Sequence, residues 1–491
     1  MAVGNFSFIS VLFALVSGGA NDALDFVSTE AYWKTKTVAV SVEAMAAELK
    51  PVPAADVGEH VRKLGSDNDA VRQEASRKIL AVGPAALPDL EKAADDPDVE
   101  TASRASNLAQ QIRQGSKGAQ MRRLMAIRTL GELKKVEGLP ALRPLLVSKE
   151  MFVADYAARA VATIEGKPLP PRPVDAAALK ADLSLFPTNV GAVGQVVVGS
   201  DRPVDLDKLL KDVPPQPGED RQKALDQMQP ALISTLEQVG NVRIEAVTFA
   251  VADTIGHREG FAAAVVRVKY DAKAVANLVR PILNKTEAVE GAEVFVPTDE
   301  IAFAFPSDDR FVAITGAKRE QLPVKELLTA IRDNRGPLLT NKDLAALIAA
   351  VDPKAKAWAV CKVSDSYRAA PVLAAFDTLT VTGVPDGDTL NLKVAGAGKD
   401  AAAVKDAVNQ VAGGVAQLQQ EAPKMAERMP PLKPMADFAE SIKTEAAGNQ
   451  ATLTASFKGD TTALLGLPMV MFGARSVEVH HAPPPAPVKD Q

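Results

Sequence analysis

The sequence predicts an α+β protein of several domains, with an all-α solenoid of stacked helices in front and a mainly antiparallel sheet with helices behind. Three observations carry that expectation. Between Asp56 and Gly166, apolar residues recur three and four apart in successive stripes, the spacing of packed amphipathic helices. Between Val174 and Arg475, short runs that alternate every second residue are separated by helical stretches, which indicates strands in an α+β arrangement. Lys167-Pro168-Leu169-Pro170-Pro171-Arg172-Pro173 divides the two regions; so many prolines cannot continue a helix and hold the chain extended as a spacer.

Composition bounds the rest. At roughly 100–200 residues per domain, 491 residues imply two to four domains. With 56 basic and 61 acidic residues the net charge is −5, which excludes a surface built as a whole for nucleic acid or anionic lipid. A 47% apolar share beside 24% charged residues describes a globular chain. Aromatics are only 4% while alanines number 83, so the apolar content suits close helix packing and offers little stacking surface. One cysteine, Cys361, excludes an internal disulfide framework and any multi-cysteine metal site.

The first twenty residues read as a secretory signal peptide. Phe6 to Val16 is uncharged, and Gly18 and Ala20 take the −3 and −1 positions if cleavage falls before Asn21. The run is too short to span a membrane, which takes about 20 apolar residues. No Lys or Arg precedes Lys34, so the usual positive start is missing. Export to the periplasm or outside the cell follows as the expected location, with a cytoplasmic one otherwise. Residues 21–55 form a mixed segment before the helices.

In the helical region, Val71, Ala75 and Ile79 form one stripe with Leu80 alongside, and Gly83-Pro84 turns the chain into a helix lined by Leu87 and Leu90. Asp95-Asp96-Pro97-Asp98 introduces a third helix with Val99, Ala102, Ala109 and Ile112 inward. A later stripe holds Leu124, Ile127, Leu130 and Leu133. Gly138 and then Leu139, Leu142, Leu145 and Leu146 follow, before Val153, Tyr156, Ala157, Ala160, Val161 and Ile164. The 31 residues from Leu130 to Val161 match a helix-pair period, and pairs with uncovered apolar faces stack.

Asp69-Ala70-Val71-Arg72-Gln73-Glu74-Ala75 with Gly83-Pro84-Ala85-Ala86-Leu87 resembles a HEAT repeat of the short bacterial type, also found in phycobilin-lyase-like proteins. Leu130-Gly131-Glu132-Leu133 with Leu139-Pro140-Ala141-Leu142 resembles another. The resemblance covers about 110 residues and implies an armadillo-type array that binds other macromolecules, without shared catalytic residues. The Val-Arg pair of the first unit becomes Val99-Glu100 and Val153-Ala154 later, so no continuous arginine ladder is implied. The second domain looks like the uncharacterised second domains of exported bacterial HEAT proteins.

That domain reads as strands at 193–198, 242–249, 261–270, 292–296, 301–305, 311–315, 357–363, 379–384, 389–394 and 450–457. Helices are expected at 221–239, 272–284, 318–333, 401–428 and up to Lys443. Residues 476–491 are proline-rich without apolar bulk and are expected to be disordered.

Catalytic signals are sparse. His60 and His257 read as surface residues, His480-His481 as part of the tail, and Cys361 as a buried inert thiol in an apolar strand. Asp308-Asp309 and Asp386-Gly387-Asp388 lack the alternating oxygen ligands of a calcium loop and read as hairpin turns. Gly191-Ala192-Val193-Gly194 leads into a strand, not the helix of a dinucleotide fingerprint. No catalytic, metal or cofactor residues are assigned. The one charged feature is a basic stretch, residues 117–149, with a local excess of six positive charges, against an excess of five negative charges over 56–100. Arg122, Arg123, Arg128, Lys134, Lys135 and Arg143 are the candidate partner-binding surface. The expected function is non-catalytic protein contact, with an unidentified and acidic protein as the fitting partner. An envelope enzyme using carboxylates in the second domain is the competing class, and nucleic-acid binding through residues 117–149 the third.

Overall fold

The computed structural model describes residues 22–50, 57–170, 175–198, 221–252, 260–283, 285–316, 320, 322–365, 367–386, 389–428 and 433–458. The expected signal peptide, the end of the spacer, His257, His480-His481 and the tail lie outside the described residues. The front half is helical: α1 (Thr29–Lys36), α2 (Val42–Glu48), α3 (Val57–Arg62), α4 (Asp69–Val82), α5 (Leu87–Ala93), α6 (Val99–Leu133), α7 (Leu139–Leu142) and α8 (Val153–Ile164). Side-chain caps start several of these helices where the sequence supplies them. Ser28, Ser41 and Asn68 each accept one backbone N–H, and Asp98 accepts those of Glu100 and Thr101.

The separate third and fourth helices expected from the sequence are one. Helix α6 runs for 35 residues, about 50 Å at 1.5 Å per residue, because its polar middle contains glycines but no proline. Its two ends belong to different cores. The first half, through Ala105, Leu108, Ala109 and Ile112, packs with α3, α4 and α5 around Leu64, Ile79 and Leu90. The second half, from Met121 to Leu130, packs with α8, with residues 23–49 and with the sheet. The apolar seam therefore breaks between Ile112 and Met121. Val99, expected inward, is 80% exposed, and Leu80 and Leu146 are also exposed.

Among the described residues, twelve antiparallel strands make one sheet: β1 (Val190–Val197), β2 (Arg243–Ala252), β3 (Phe261–Lys269), β4 (Thr286–Val289), β5 (Ala292–Thr298), β6 (Ile301–Ser307), β7 (Arg310–Gly316), β8 (Ala357–Lys362), β9 (Thr378–Asp386), β10 (Thr389–Ala397), β11 (Lys443–Ala447) and β12 (Gln450–Lys458). Their order is β11-β12-β10-β9-β8-β1-β2-β3-β7-β6-β5-β4. The expected meander is present as β5–β7, and the expected hairpin as β9–β10. Strands β4 and β11 and the helices α9 (Ala176–Ser184) and α13 (Lys342–Ala349) were not foreseen. The remaining α-helices among the described residues are α10 (Arg221–Val239), α11 (Ala272–Leu283), α12 (Val324–Arg332), α14 (Ala401–Arg428) and α15 (Lys433–Ser441).

The sheet repeats one plan about its central β1–β8 pair. On each side a central strand is followed by a hairpin (β2–β3 or β9–β10). A helix follows (α11 or α14), and then strands whose last member pairs with the hairpin's outer strand (β7 on β3, β12 on β10). The strand register places α11 and α14 on the same face of the sheet, since Val196 lies with the α11 core and Cys361, on the same face through the β1–β8 register, with the α14 core. That is the relation a twofold axis perpendicular to the sheet would give. Cys361 is half-buried rather than buried, because it alternates with Trp358 and Val360, which point into the opposite core.

Candidate functional site

The basic stretch is largely engaged within the chain. Arg122 grips Glu48 with two hydrogen bonds of 2.6 Å and lies over the Trp33 ring at 5.9 Å. The Glu48 hydrogen bonds raise its pKa. Arg123 pairs with Glu150. Arg128 donates to Glu132 at 2.9 Å and to the carbonyls of Leu24 and Val27 at 2.8 Å each. Arg143 reaches Glu165 at 3.4 Å but stays 62% exposed. Lys134, in the left-handed conformation that ends α6, and Lys135 after it are exposed. Of the six candidate residues, three arginines thus hold other parts of this chain, and Arg143 and the two lysines face outward.

Arg122 and Arg128 hold the segment 22–50, which lies between α6 and the sheet. Trp33 Nε1 donates to Thr129 Oγ1 at 2.8 Å, and Lys36 pairs with Glu237 of α10 at 2.6 Å. The neighbouring Tyr32 hydroxyl is pushed upward in pKa by burial and by Glu237. At the start of the segment Asp22, fully buried, accepts two hydrogen bonds from Arg243 at 2.8 and 3.0 Å and one from Asn241 at 2.9 Å. Arg243 also reaches Asp155 of α8 at 2.6 Å and stands 4.9 Å from the Phe152 ring. Burial opposes the Arg243 charge most, yet the charge and hydrogen bonds of Asp22, with Asp155 and Tyr156, carry its pKa upward. This node joins the N-terminal segment, α8 and β2.

A second node joins α9, β3 and β7. Asp182 of α9, fully buried, accepts two hydrogen bonds of 2.7 Å from Arg267 of β3 and one of 3.0 Å from Arg310 of β7. Asp309 joins Arg267 at 3.2 Å, and Asp308 caps α11 by accepting the Ala272 N–H. The Asp308-Asp309 turn expected from the sequence is present, and both carboxylates are tied into the fold. Neither node was foreseen. The available signal was an arginine inside each apolar strand, Val242-Arg243-Ile244 and Val266-Arg267-Val268.

Two hollows remain. One, of about 290 Å³, lies between α3 and α4 and is lined by His60, Lys63, Val71, Glu74 and Lys78. The other, of about 460 Å³, gathers Asp365, Asp377 and Asp400 with Arg368 and Lys399 beside the start of α14. Here Asp377 is paired with Arg368 at 2.6 Å, Asp400 accepts the N–H groups of Ala402 and Ala403, and Asp365 is open to solvent. Among the described residues no group of three or more His, Cys, Asp and Glu is arranged to hold a metal ion, and no helix is long and apolar enough to cross a membrane.

No family model and no curated protein matches the chain. Among solved structures, two crystal forms of TP0453 are similar at 8% identity over 58% of this chain. Form III has a TM-score of 0.32 over 96% of its own length, and form I one of 0.29 over 95%. A likeness at that level determines neither fold nor function.

Proposed function

We propose that this is an exported, non-catalytic contact protein whose first helical group, residues 57–112, is a HEAT-type module that meets a protein partner. The carrying observation is the attachment of that group. It has a core of its own, and its substantial packing to the rest of the chain runs through the single helix α6. Helical hairpins with their own core present two outer faces, which is how such arrays offer surface to other macromolecules. The α4–α5 corner at Gly83-Pro84, with Gly83 at φ 69°, supports the HEAT reading. So does the close crossing of α6 on α8, where Gly131 lies against Ala160. The acidic balance of residues 56–100 favours a basic partner face for this module. The engagement of Arg122, Arg123 and Arg128 within the chain moves the proposed contact away from the basic stretch.

The hollow with three aspartates is the observation that favours the enzyme class. Its residues hold an ion pair and a helix cap, which weighs toward a structural role. The test is site-specific photo-crosslinking in the full chain in its own host, with the probe at Val71, at Val99 and, as a control, at Val381 on the sheet. One protein captured from both helical positions and not from Val381 supports contact. Equal capture from all three, or none, overturns it.

A further inference from the structure

We propose that the apolar segment Leu464–Phe472, outside the described residues, folds back over the open middle of the sheet face that carries α11 and α14, and covers it. This goes beyond the protein contact proposed for residues 57–112 and does not depend on it. The strand registers carry one row of side chains across that face. It runs from Ala313 of β7 through Ala264 of β3 and Phe249 of β2, past Gly194 of β1, to Ala359 of β8, Val381 of β9 and Val394 of β10. None of these is polar, and Gly194 leaves room for the Phe249 ring to lie across β1.

The row is incompletely covered. Val381 is 38% exposed, and Ala313, Ala264, Phe249, Ala359 and Val394 are half-buried. Strand neighbours on the opposite face, such as Val312, Ala263, Val265 and Val360, are buried. The helices described on this face stand at its two sides, α11 against β5 and β6, α14 and α15 against β11 and β12. The helical half covers the end near Val196 and Val247, and Tyr367, Val372 and Leu373 cover the end near Cys361 and Leu379. Between them an apolar trough crosses from β7 to β10, six strand spacings or about 29 Å.

Three observations select the segment as the cover. Its chemistry fits: residues 461–474 carry no charge and include three leucines, two methionines, Val470 and Phe472. Its starting point fits: β12 ends at Lys458, opposite Thr389, and Leu453 of β12 continues the row beside Val394. From Lys458 to Val394 is about 17 Å along the strands and about 5 Å across, a distance that residues 459–463 can span. Its length fits: nine extended residues reach about 30 Å, the width of the trough. Fourteen uncharged residues fall short of the roughly 20 that cross a bilayer. A second copy of the chain would have to displace a segment that its own connection holds at about millimolar effective concentration.

The test keeps the full chain. In a Cys361→Ser background, Met469→Cys is combined with Val381→Cys or, as a control, with Val99→Cys, which is 80% exposed at the start of α6. A short bismaleimide is expected to link 381 to 469 within one chain, at a rate independent of protein concentration, and not to link 99 to 469. Separately, Leu467→Asp with Val470→Asp should speed maleimide labelling of a lone cysteine at 381 by about tenfold or more, since both side chains lose their burial, and leave a cysteine at 99 unchanged. The crosslink is read without the two aspartates, so it decides even where they impair folding. No link between 381 and 469, equal linking from 381 and 99, or labelling at 381 indifferent to the aspartates overturns the proposal. Linking only between chains overturns it in favour of a second copy as the cover. Protection of the cysteine at 469 only when vesicles are added overturns it in favour of a lipid surface.

Discussion

Replacing Arg243 by Met tests what joins the helical half to the sheet. The side chain is 6% exposed, and its partner Asp22 is fully buried. Met keeps most of the volume but removes both Arg243 hydrogen bonds from the buried Asp22 carboxylate, which keeps the Asn241 amide. Removing one partner of a buried ion pair costs about 3–5 kcal/mol. The lost contact with the Phe152 ring adds about 0.5–2 kcal/mol. Against a total stability of about 5–15 kcal/mol for a domain, the effect is large and begins at a defined place. The Ala23 N–H donates to the Val242 carbonyl at 2.8 Å and the Leu24 N–H to Asn241 Oδ1 at 3.0 Å. Hydrogen exchange over residues 22–27 should therefore accelerate before that of β2 itself. Asp22→Asn is expected to cost less, because Arg243 keeps Asp155. The double variant should be less destabilised than the sum of the two. Urea unfolding with residue-resolved exchange measures all three. A loss under about 1 kcal/mol in Arg243→Met, or unchanged exchange at Ala23 and Leu24, refutes the reasoning.

Gly115→Ala and Gly118→Ala should each stabilise α6 by about 1 kcal/mol in urea unfolding, because a Cβ at 115 meets nothing within 4 Å and one at 118 only Glu237 Cβ at 4.0 Å. Gly131→Ala should instead destabilise by about 1–3 kcal/mol, since its Cβ would lie 3.0 Å from Ala160 Cα and Cβ. Burial alone would raise the Asp271 pKa, but Lys117, at 2.8 Å, holds it below the ordinary 3.8. Its contribution is therefore complete above pH 3.8 and lost as pH falls through the lower folded value. Asp271→Asn should cost about 0.5–1 kcal/mol near neutral pH, with the difference from the parent closing in strong acid.

The fold class was legible because periodicity reports burial directly. Strands β5, β6 and β7 and helices α10 and α14 fall where two- and 3.6-residue spacing puts them. Helix boundaries inside the front half were not legible. A polar stretch such as 113–120 is as compatible with a loop as with an exposed span of helix, and the difference is made by Met121 to Leu130 finding a core far from Ile112. Strand β4 was missed because its partly exposed Thr286–Val289 shows no strong alternation and is defined by pairing with β5. The two buried nodes were illegible for another reason. Asp22 meets Arg243 across 221 positions and Asp182 meets Arg267 across 85, and no local count of charge contains both members.

The same fact explains why the basic stretch looked like a binding surface. A window over residues 117–149 contains Arg122, Arg123 and Arg128 but not Glu48 or Glu150, which neutralise two of them. The sorting follows the chemistry of the two cations. A guanidinium presents a planar fork that satisfies a carboxylate with two bonds and tolerates partial burial, whereas an ammonium is strongly hydrated and favours solvent. Arg122, Arg243 and Arg267 each form the two-bonded pair and lie partly or wholly within the packing. Lys134, Lys135 and Lys149 remain outside. These three arginines thus join segments distant in sequence, whereas Arg72, Arg77 and Arg104 pair within their own helices. Of the charge left outward in this stretch, Lys134, Lys135 and Lys149 carry the larger part, and the exposed Arg143, which reaches Glu165 at 3.4 Å, the rest.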